Sequence, residues 1–190
     1  MARLNNRYFA MRHGQSLANE QGIIISHPAN GVLAEYGLSE IGKNQVAASV
    51  KKSILPPDTV IYSSDFSRAR QTAEIVCQQI GGSEVTLAEE LRERYFGDWE
   101  KMPFANYEKV WQVDREHADW HKHNVEPVND VLTRTLRLIT EIEYHHLERD
   151  ILLVSHGDTL QILQVGLSGQ SPTKHRDLPY FETAEIRRLV

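Results

Sequence analysis

Short apolar runs alternate with stretches of helical periodicity along most of the chain, and that alternation constrains the fold more than any other feature. Residues 8–11, 59–62 and 151–155 are brief apolar runs of strand length, and 85–88 is a weaker one. Runs of this kind suit strands covered on both faces. Between them lie helical patterns. Residues 39–54 place Val46, Ala47, Val50 and Ile54 on one face behind Ser39, a natural N-cap. Asp65 is expected to cap a helix in which Phe66, Ala69, Ala73, Val76, Cys77 and Ile80 follow helical spacing. A further helical stretch is expected within 104–120, and Pro127 fits the first turn of a long helix carrying Val128, Val131, Leu132, Ile139 and Ile142. Residues 158–167 read as a helix and 184–190 as a last strand. Strands alternating with helices predict an α/β fold, a three-layer sandwich with a largely parallel central sheet flanked by helices. The chain has 190 residues and carries no repeat or obvious linker, so one domain spanning 1–190 is expected.

Composition excludes several function classes. Hydrophobic residues make up 41% and charged residues 25%, the balance of a soluble globular chain. No run approaches the roughly 20 apolar residues of a membrane span, so no membrane partner is expected. The single cysteine, Cys77, rules out an internal disulfide and fits a reducing compartment, which makes the cytoplasm the expected location. The net charge of −5 argues against a broad nucleic-acid footprint. Any anion bound here must be held by a local cluster of positive groups. The oligomeric state is not legible.

Polar residues gather just after the predicted strands. Arg12-His13-Gly14 follows the first, Ser63-Ser64-Asp65 and Arg68 the second, Glu93 the third at some distance, and His156-Gly157 the fourth. Open α/β sheets bind ligands outside the carboxyl ends of their strands. Four segments distant in sequence are therefore expected to deliver two arginines, two histidines and one glutamate to one pocket. Each residue also has a plainer reading. Glu93 sits among Glu89, Glu90, Arg92 and Arg94, so a solvated charged turn is its plainer reading. Asn19 suits a turn, and Asp158 a helix cap. His117, His121 and His123 lack the partner ligands of a metal site. No Walker loop or Gly-x-Gly-x-x-Gly fingerprint is present. A serine-hydrolase elbow at Ser155 would need glycine where Leu153 stands.

Arg12-His13-Gly14-Gln15-Ser16 with Asn19 resembles the Arg-His-Gly signature of the histidine phosphatase superfamily, the phosphoglycerate-mutase-like proteins. The resemblance continues in order through Leu38-Ser39-Glu40-Ile41-Gly42 with Gln45, the run from Ser63 to Ala73, Leu91-Arg92-Glu93 with Gly97 and Trp99-Glu100, and Val154-Ser155-His156-Gly157. One short motif is weak, but five in order are specific. The resemblance implies that His13 attacks phosphorus to form a phosphohistidine. It implies that Arg12, Asn19, Arg68, His156 and Gly157 bind the phosphoryl oxygens, and that Glu93 is the general acid and base. Fixed guanidinium donors suit a group whose charge builds on equatorial oxygens. The chemistry then requires no metal and no cofactor. Burial would raise the Glu93 pKa and the arginines would lower it, which leaves the sign open.

The family contains phosphatases, mutases and proteins without activity. The sequence Tyr95-Phe96-Gly97-Asp98-Trp99-Glu100 looks more like the phosphatase branch, so hydrolysis of a small phosphorylated metabolite is expected. Mutase-type transfer and non-catalytic phosphate binding are the alternatives. Where relatives often carry a Gly-Gly-Glu-Ser type turn, this chain reads Asn124-Val125-Glu126-Pro127. Losing glycines restricts the backbone there. Segments 22–37, 96–120 and 173–180 are the candidate pocket rim, with Ile23, Ile24, Ile25, Tyr36, Phe104 and Tyr180 beside Lys101, Lys174 and Arg176.

Overall fold

In the computed structural model, which describes residues 4–189, the apolar runs lie side by side at the centre of one sheet. Strand β1 (Arg7–Arg12) pairs in parallel with β4 (Asp150–Ser155), with Arg12 level with Ser155. Strand β2 (Val60–Ser63) flanks β4 and β3 (Val85–Leu87) flanks β2, both parallel. Strand β5 (Ile186–Arg188) runs antiparallel along β1, so the order is β3-β2-β4-β1-β5. The helices are α1 (Leu17–Gln21), α2 (Pro28–Gly31), α3 (Glu40–Lys52), α4 (Ser67–Ile80), α5 (Asn106–Asp114), α6 (Val128–His145) and α7 (Gly157–Leu167).

Alternation along the central strands builds the three layers. Phe9, Met11, Leu152 and Val154 pack on Val46 and Val50 of α3 and on Ala69, Ala73 and Val76 of α4. Their neighbours Tyr8, Ile151 and Leu153 face the other way, onto Leu138, Ile139 and Ile142 of α6 and Leu163 of α7. Each large apolar side chain so enclosed contributes about 1.5–3 kcal/mol relative to exposure. Among the described residues no helix is long and apolar enough to cross a membrane.

Several local expectations are corrected. Helix α3 stops at Lys52 because the chain extends at Ser53, which throws Ile54 out to 85% exposure. Asp65 does not cap α4. It accepts two bonds from Arg92, at 2.8 and 2.6 Å, while Phe66 holds the cap position and donates its N–H to Ser64 Oγ. Pro127 precedes the first residue of α6 instead of lying within its first turn. Asp158 lies inside α7, where it bonds to Arg94 and caps nothing. The last strand is shorter than 184–190, and Val190 lies outside the described residues.

Candidate active site

The parallel register brings Arg12, Ser63 and Ser155 to one edge of the sheet, where the chain leaves three adjacent strands. His13 continues from β1 and its N–H donates to Ser155 O at 3.0 Å. The next turn is held by close approach of α3. Gly14 N–H donates to Thr72 Oγ1, and a Cβ on Gly42 would meet Gln15 O at 2.0 Å. Ser39 caps α3 through Gly42 N–H, and Gln45 Oε1 accepts from Gln15 N–H. The segment around Leu38 to Gln45 therefore serves to clamp the turn after His13.

His13 is buried, and its Nδ1 lies 2.7 Å from Gly14 O. A carbonyl only accepts, so Nδ1 carries the proton and Nε2 keeps its lone pair. Arg68 Nε donates to that Nε2 at 3.1 Å, and Arg68 Nη2 donates to Ile25 O. Burial, then the Arg68 and Arg12 charges, hold the His13 pKa well below its ordinary value, which keeps the ring neutral. The His156 ring sits 5.1 Å from that of His13, centroid to centroid. Ser64 Oγ accepts from Phe66 N–H and lies 3.0 Å from His156 Nε2; in the tautomer where the serine hydroxyl donates to Nε2, Nδ1–H is the donor. His156 is likewise kept neutral by burial and the nearby cations.

Three buried nitrogens in this cluster have no partner among the described residues: Arg12 Nε, Arg68 Nη1 and His156 Nδ1. Burying a donor unpaired costs about 1–3 kcal/mol, so three together define a site prepared for an oxyanion. Arg12 is otherwise anchored by a 2.9 Å bond to Phe181 O, and its guanidinium lies 4.9 Å from the Tyr180 ring centroid.

Glu93 and Asn19 share a cavity of about 250 Å³ with Arg12, Gly157, Asp158, Phe104, Tyr107, Trp111 and Tyr180. Ser155 Oγ bonds Leu91 O and Thr159 Oγ1 bonds Arg92 O, which fixes the turn bearing Glu93 against β4 and α7. Glu93 Oε1 accepts from Arg94 N–H at 2.9 Å. Burial pushes the Glu93 carboxyl up to about 7, helped by Asp158 and opposed by Arg68. That decides the sign that the sequence left open. Asn19 Oδ1 is engaged by the Ser16 N–H and hydroxyl in the cap of α1, which leaves its amide nitrogen uncommitted. A larger groove of about 600 Å³ borders Glu93 from the Arg92–Arg134 side. Its arginines are already paired, Arg92 with Asp65, Arg134 with Glu126 and Arg137 with Glu90, so the smaller cavity is where unpaired donors are available.

Sequence reasoning missed the buried ionic cluster behind Glu93. Arg94 is fully buried, with two bonds to Asp114 at 2.5 and 2.8 Å and a contact to Asp158 at 3.3 Å. No local pattern announces a pair 20 residues apart. Ser64 was visible as part of a motif but without a role. Tyr107 and Trp111 fall within the expected rim segment 96–120 and line the cavity, their i, i+4 spacing putting both rings on one face of α5. Of the expected rim, Phe104 and Tyr180 line the cavity, whereas Ile24, Ile25 and Tyr36 are buried in packing. Arg176 lies behind the wall, 3.6 Å over the Trp111 ring. His117, His121 and His123 are exposed. The turn without glycines adopts left-handed angles, with φ 57° at His123 and 58° at Asn124, a region that residues other than glycine enter only at a cost.

Fold and donor cluster together define an α/β protein with an oxyanion-sized site at the carboxyl edge of its sheet. The chain belongs to the histidine phosphatase superfamily, branch 1, whose family model matches residues 8–190. It is 28% identical over 177 residues to a glucosyl-3-phosphoglycerate phosphatase of Mycolicibacterium vanbaalenii, covering 86% of this chain and 74% of that one. A phosphoglycerate mutase of Schizosaccharomyces pombe is 26% identical over 167 residues, covering 83% and 77% of the two chains. The native structure of a mycobacterial glucosyl-3-phosphoglycerate phosphatase superposes with a TM-score of 0.80 at 26% identity, over 95% of this chain and 87% of that one.

Proposed function

We propose that the protein is a phosphomonoesterase acting on a small phosphorylated metabolite through a phosphohistidine on His13. The observation that carries this reading is the set of three unpaired buried donors beside a neutral imidazole whose Nε2 carries the lone pair, held by Arg68 Nε. In the first step His13 Nε2 forms a bond to phosphorus while the bond to the leaving oxygen breaks. Arg12, Arg68 and His156 Nδ1–H hold the equatorial oxygens, with Asn19 and the Gly157 N–H at the rim, and stabilise the charge that builds there. Glu93 donates its proton to the leaving oxygen. In the second step the Glu93 carboxylate takes a proton from water, the water oxygen attacks phosphorus, and the phosphorus–nitrogen bond breaks to release phosphate. The positive groups are all protein side chains, so no metal is assigned a role. Phosphatase activity among the relatives supports hydrolysis over transfer to a second substrate position.

Release of phosphate from an aryl phosphate, with chelator present, tests the reading. The wild type is expected to turn over and His13→Ala to lose activity by at least about a thousandfold, since the nucleophile is gone. Turnover that survives in His13→Ala would falsify the phosphohistidine route.

A further inference from the structure

The cavity beside the donor cluster has two unlike ends. Arg12, Asn19, Glu93 and Gly157 form the end nearest the proposed phosphate site. Apart from Asp158, the rest of its wall is aromatic: Phe104, Tyr107, Trp111 and Tyr180. Tyr107 and Trp111 stand one turn apart on α5, and Phe104 just precedes that helix. Tyr180 comes from the segment that leads into β5. One continuous stack joins them. Phe104 lies on Tyr107 at 5.6 Å, and Tyr107 on Trp111 at 5.1 Å with 6° between planes. The Arg176 guanidinium follows, 3.6 Å over the Trp111 ring and 5.5 Å from the Tyr180 centroid. The rings are thus fixed before any ligand arrives, and binding orders little further. Stacking also covers ring faces. Tyr107 lies between Phe104 and Trp111, and Trp111 between Tyr107 and Arg176, so both present edges to the cavity. A ring edge carries the positive part of the aromatic quadrupole and favours the face of another aromatic ring.

The polar side chains of the cavity are already committed or belong to the phosphate end. Asp158 accepts from Arg94 at 3.3 Å, and His175 and Arg176 stand 3.5 and 3.6 Å from it behind the wall. Glu93 Oε1 accepts from Arg94 N–H, and Asn19 Oδ1 from Ser16. A Cβ on Gly157 would lie 3.6 Å from both Tyr180 Oη and Arg12 Nε, which puts the Tyr180 hydroxyl at the phosphate end. The Tyr107 pKa is raised by burial and then by the charge of Glu93, against Arg68 and Arg12, so its hydroxyl lies near the same groups. Among the described residues, no side-chain acceptor is left along the aromatic wall for the hydroxyl protons of a sugar. A hydroxyl taken from water without a partner is unfavourable, whereas an apolar ring gains by burial. A volume of about 250 Å³ lies below the roughly 300–1,000 Å³ of drug-sized pockets, which leaves room for a single ring beside the phosphate.

We propose that this cavity selects phosphate esters whose leaving group carries one aromatic ring, over small alkyl and polyhydroxylated esters. The inference rests on the phosphatase reading above and names the leaving group of that same site. The incoming ring meets the edges of Tyr107 and Trp111, and Phe104 and Tyr180 close the slot around it.

Three esters of primary alcohols make similar demands on Glu93 and differ in what the cavity receives: 2-phenylethyl phosphate, ethyl phosphate and ribose 5-phosphate. Each is assayed for phosphate release, beside an aryl phosphate whose turnover tests hydrolysis alone. The value of kcat/KM is expected to favour 2-phenylethyl phosphate over each of the other two by about tenfold or more, the effect of burying one ring. Trp111→Leu and Phe104→Leu keep an apolar side chain and remove a ring. Each is expected to lower the ratio of kcat/KM for 2-phenylethyl over ethyl phosphate by about threefold or more, the loss of one aromatic contact. A ratio cancels any general loss of folded or active enzyme. An enzyme active on the aryl phosphate that handles ethyl phosphate or ribose 5-phosphate as well as 2-phenylethyl phosphate overturns the inference and leaves the phosphatase standing. So does a ratio unmoved in both variants. Failure of all four esters with folded wild type overturns the hydrolytic reading and this inference with it.

Discussion

Glu93 shows how one residue's surroundings set its chemistry. An exposed carboxyl would be ionised at neutral pH and could not protonate a leaving group. Here burial outweighs Arg68, and the group titrates near 7. Since the acid form is the one that reacts, turnover of esters with poor leaving groups should fall as pH rises through about 7. His13, held neutral well below its ordinary value, should not limit the rate in mild acid. Glu93→Gln should cost roughly a hundredfold or more on an alkyl phosphate and less on an aryl phosphate, whose leaving group needs no proton. The same shift bears on stability. A folded-state pKa raised above the unfolded one favours the fold below the unfolded value near 4.5, and that contribution is lost as pH rises through about 7. Glu93→Gln removes the ionisation, so its melting temperature relative to wild type should be higher at pH 8.5 than at pH 5. A difference independent of pH would refute the assignment.

At the scale of elements, the site depends on how closely α3 approaches the turn after β1. A Cβ on Gly14 would meet Gly42 O at 2.6 Å, and one on Gly42 would meet Gln15 O at 2.0 Å. Both obstacles are backbone, which cannot swing aside as a side chain can. Gly42→Ala must therefore push α3 off the turn that carries His13. Overpacking of this kind costs about 1–3 kcal/mol. For a chain of this length it should appear as a fall of about 3–10 °C in melting temperature. The displaced His13 should also lower kcat for every phosphate ester alike. Thermal melts and a three-substrate assay check both parts, and an unchanged melting temperature would remove the clamp from the account.

At the scale of the whole molecule, Arg94 joins segments that the sheet does not connect. Its guanidinium bonds Asp114 at the end of α5, Asp158 in α7 and Glu126 O before α6, while its own N–H holds Glu93. His175, also buried, lies 3.9 Å from Asp114 and 3.5 Å from Asp158. Replacing both partners of a buried pair can be nearly neutral, but removing one strands the other's charge. Arg94→Met should thus destabilise the protein by about 3–5 kcal/mol, and Arg94→Met with Asp114→Leu by less than the sum of the two single changes. Denaturant unfolding of the four proteins measures this coupling, and additive effects would mean that the cluster holds nothing together.

The sequence by itself determined the sheet, the layers and the polar residues at the strand ends. Those signals are local: a strand declares itself through an apolar run, a helix through its spacing, and a motif through adjacent residues. Ser39 as a cap and Cys77 on a partly buried helix face were legible for the same reason. Asp65 was misread because its local context suits a cap, and only folding shows that Arg92 claims it first. Tertiary structure alone decided the balance of burial against charge at Glu93, the pairing of Arg94 with Asp114, and the meeting of Trp111 with Tyr180 in one cavity. Each depends on groups far apart in sequence and close in space, where the low dielectric of the interior makes distance and burial count for more than residue type.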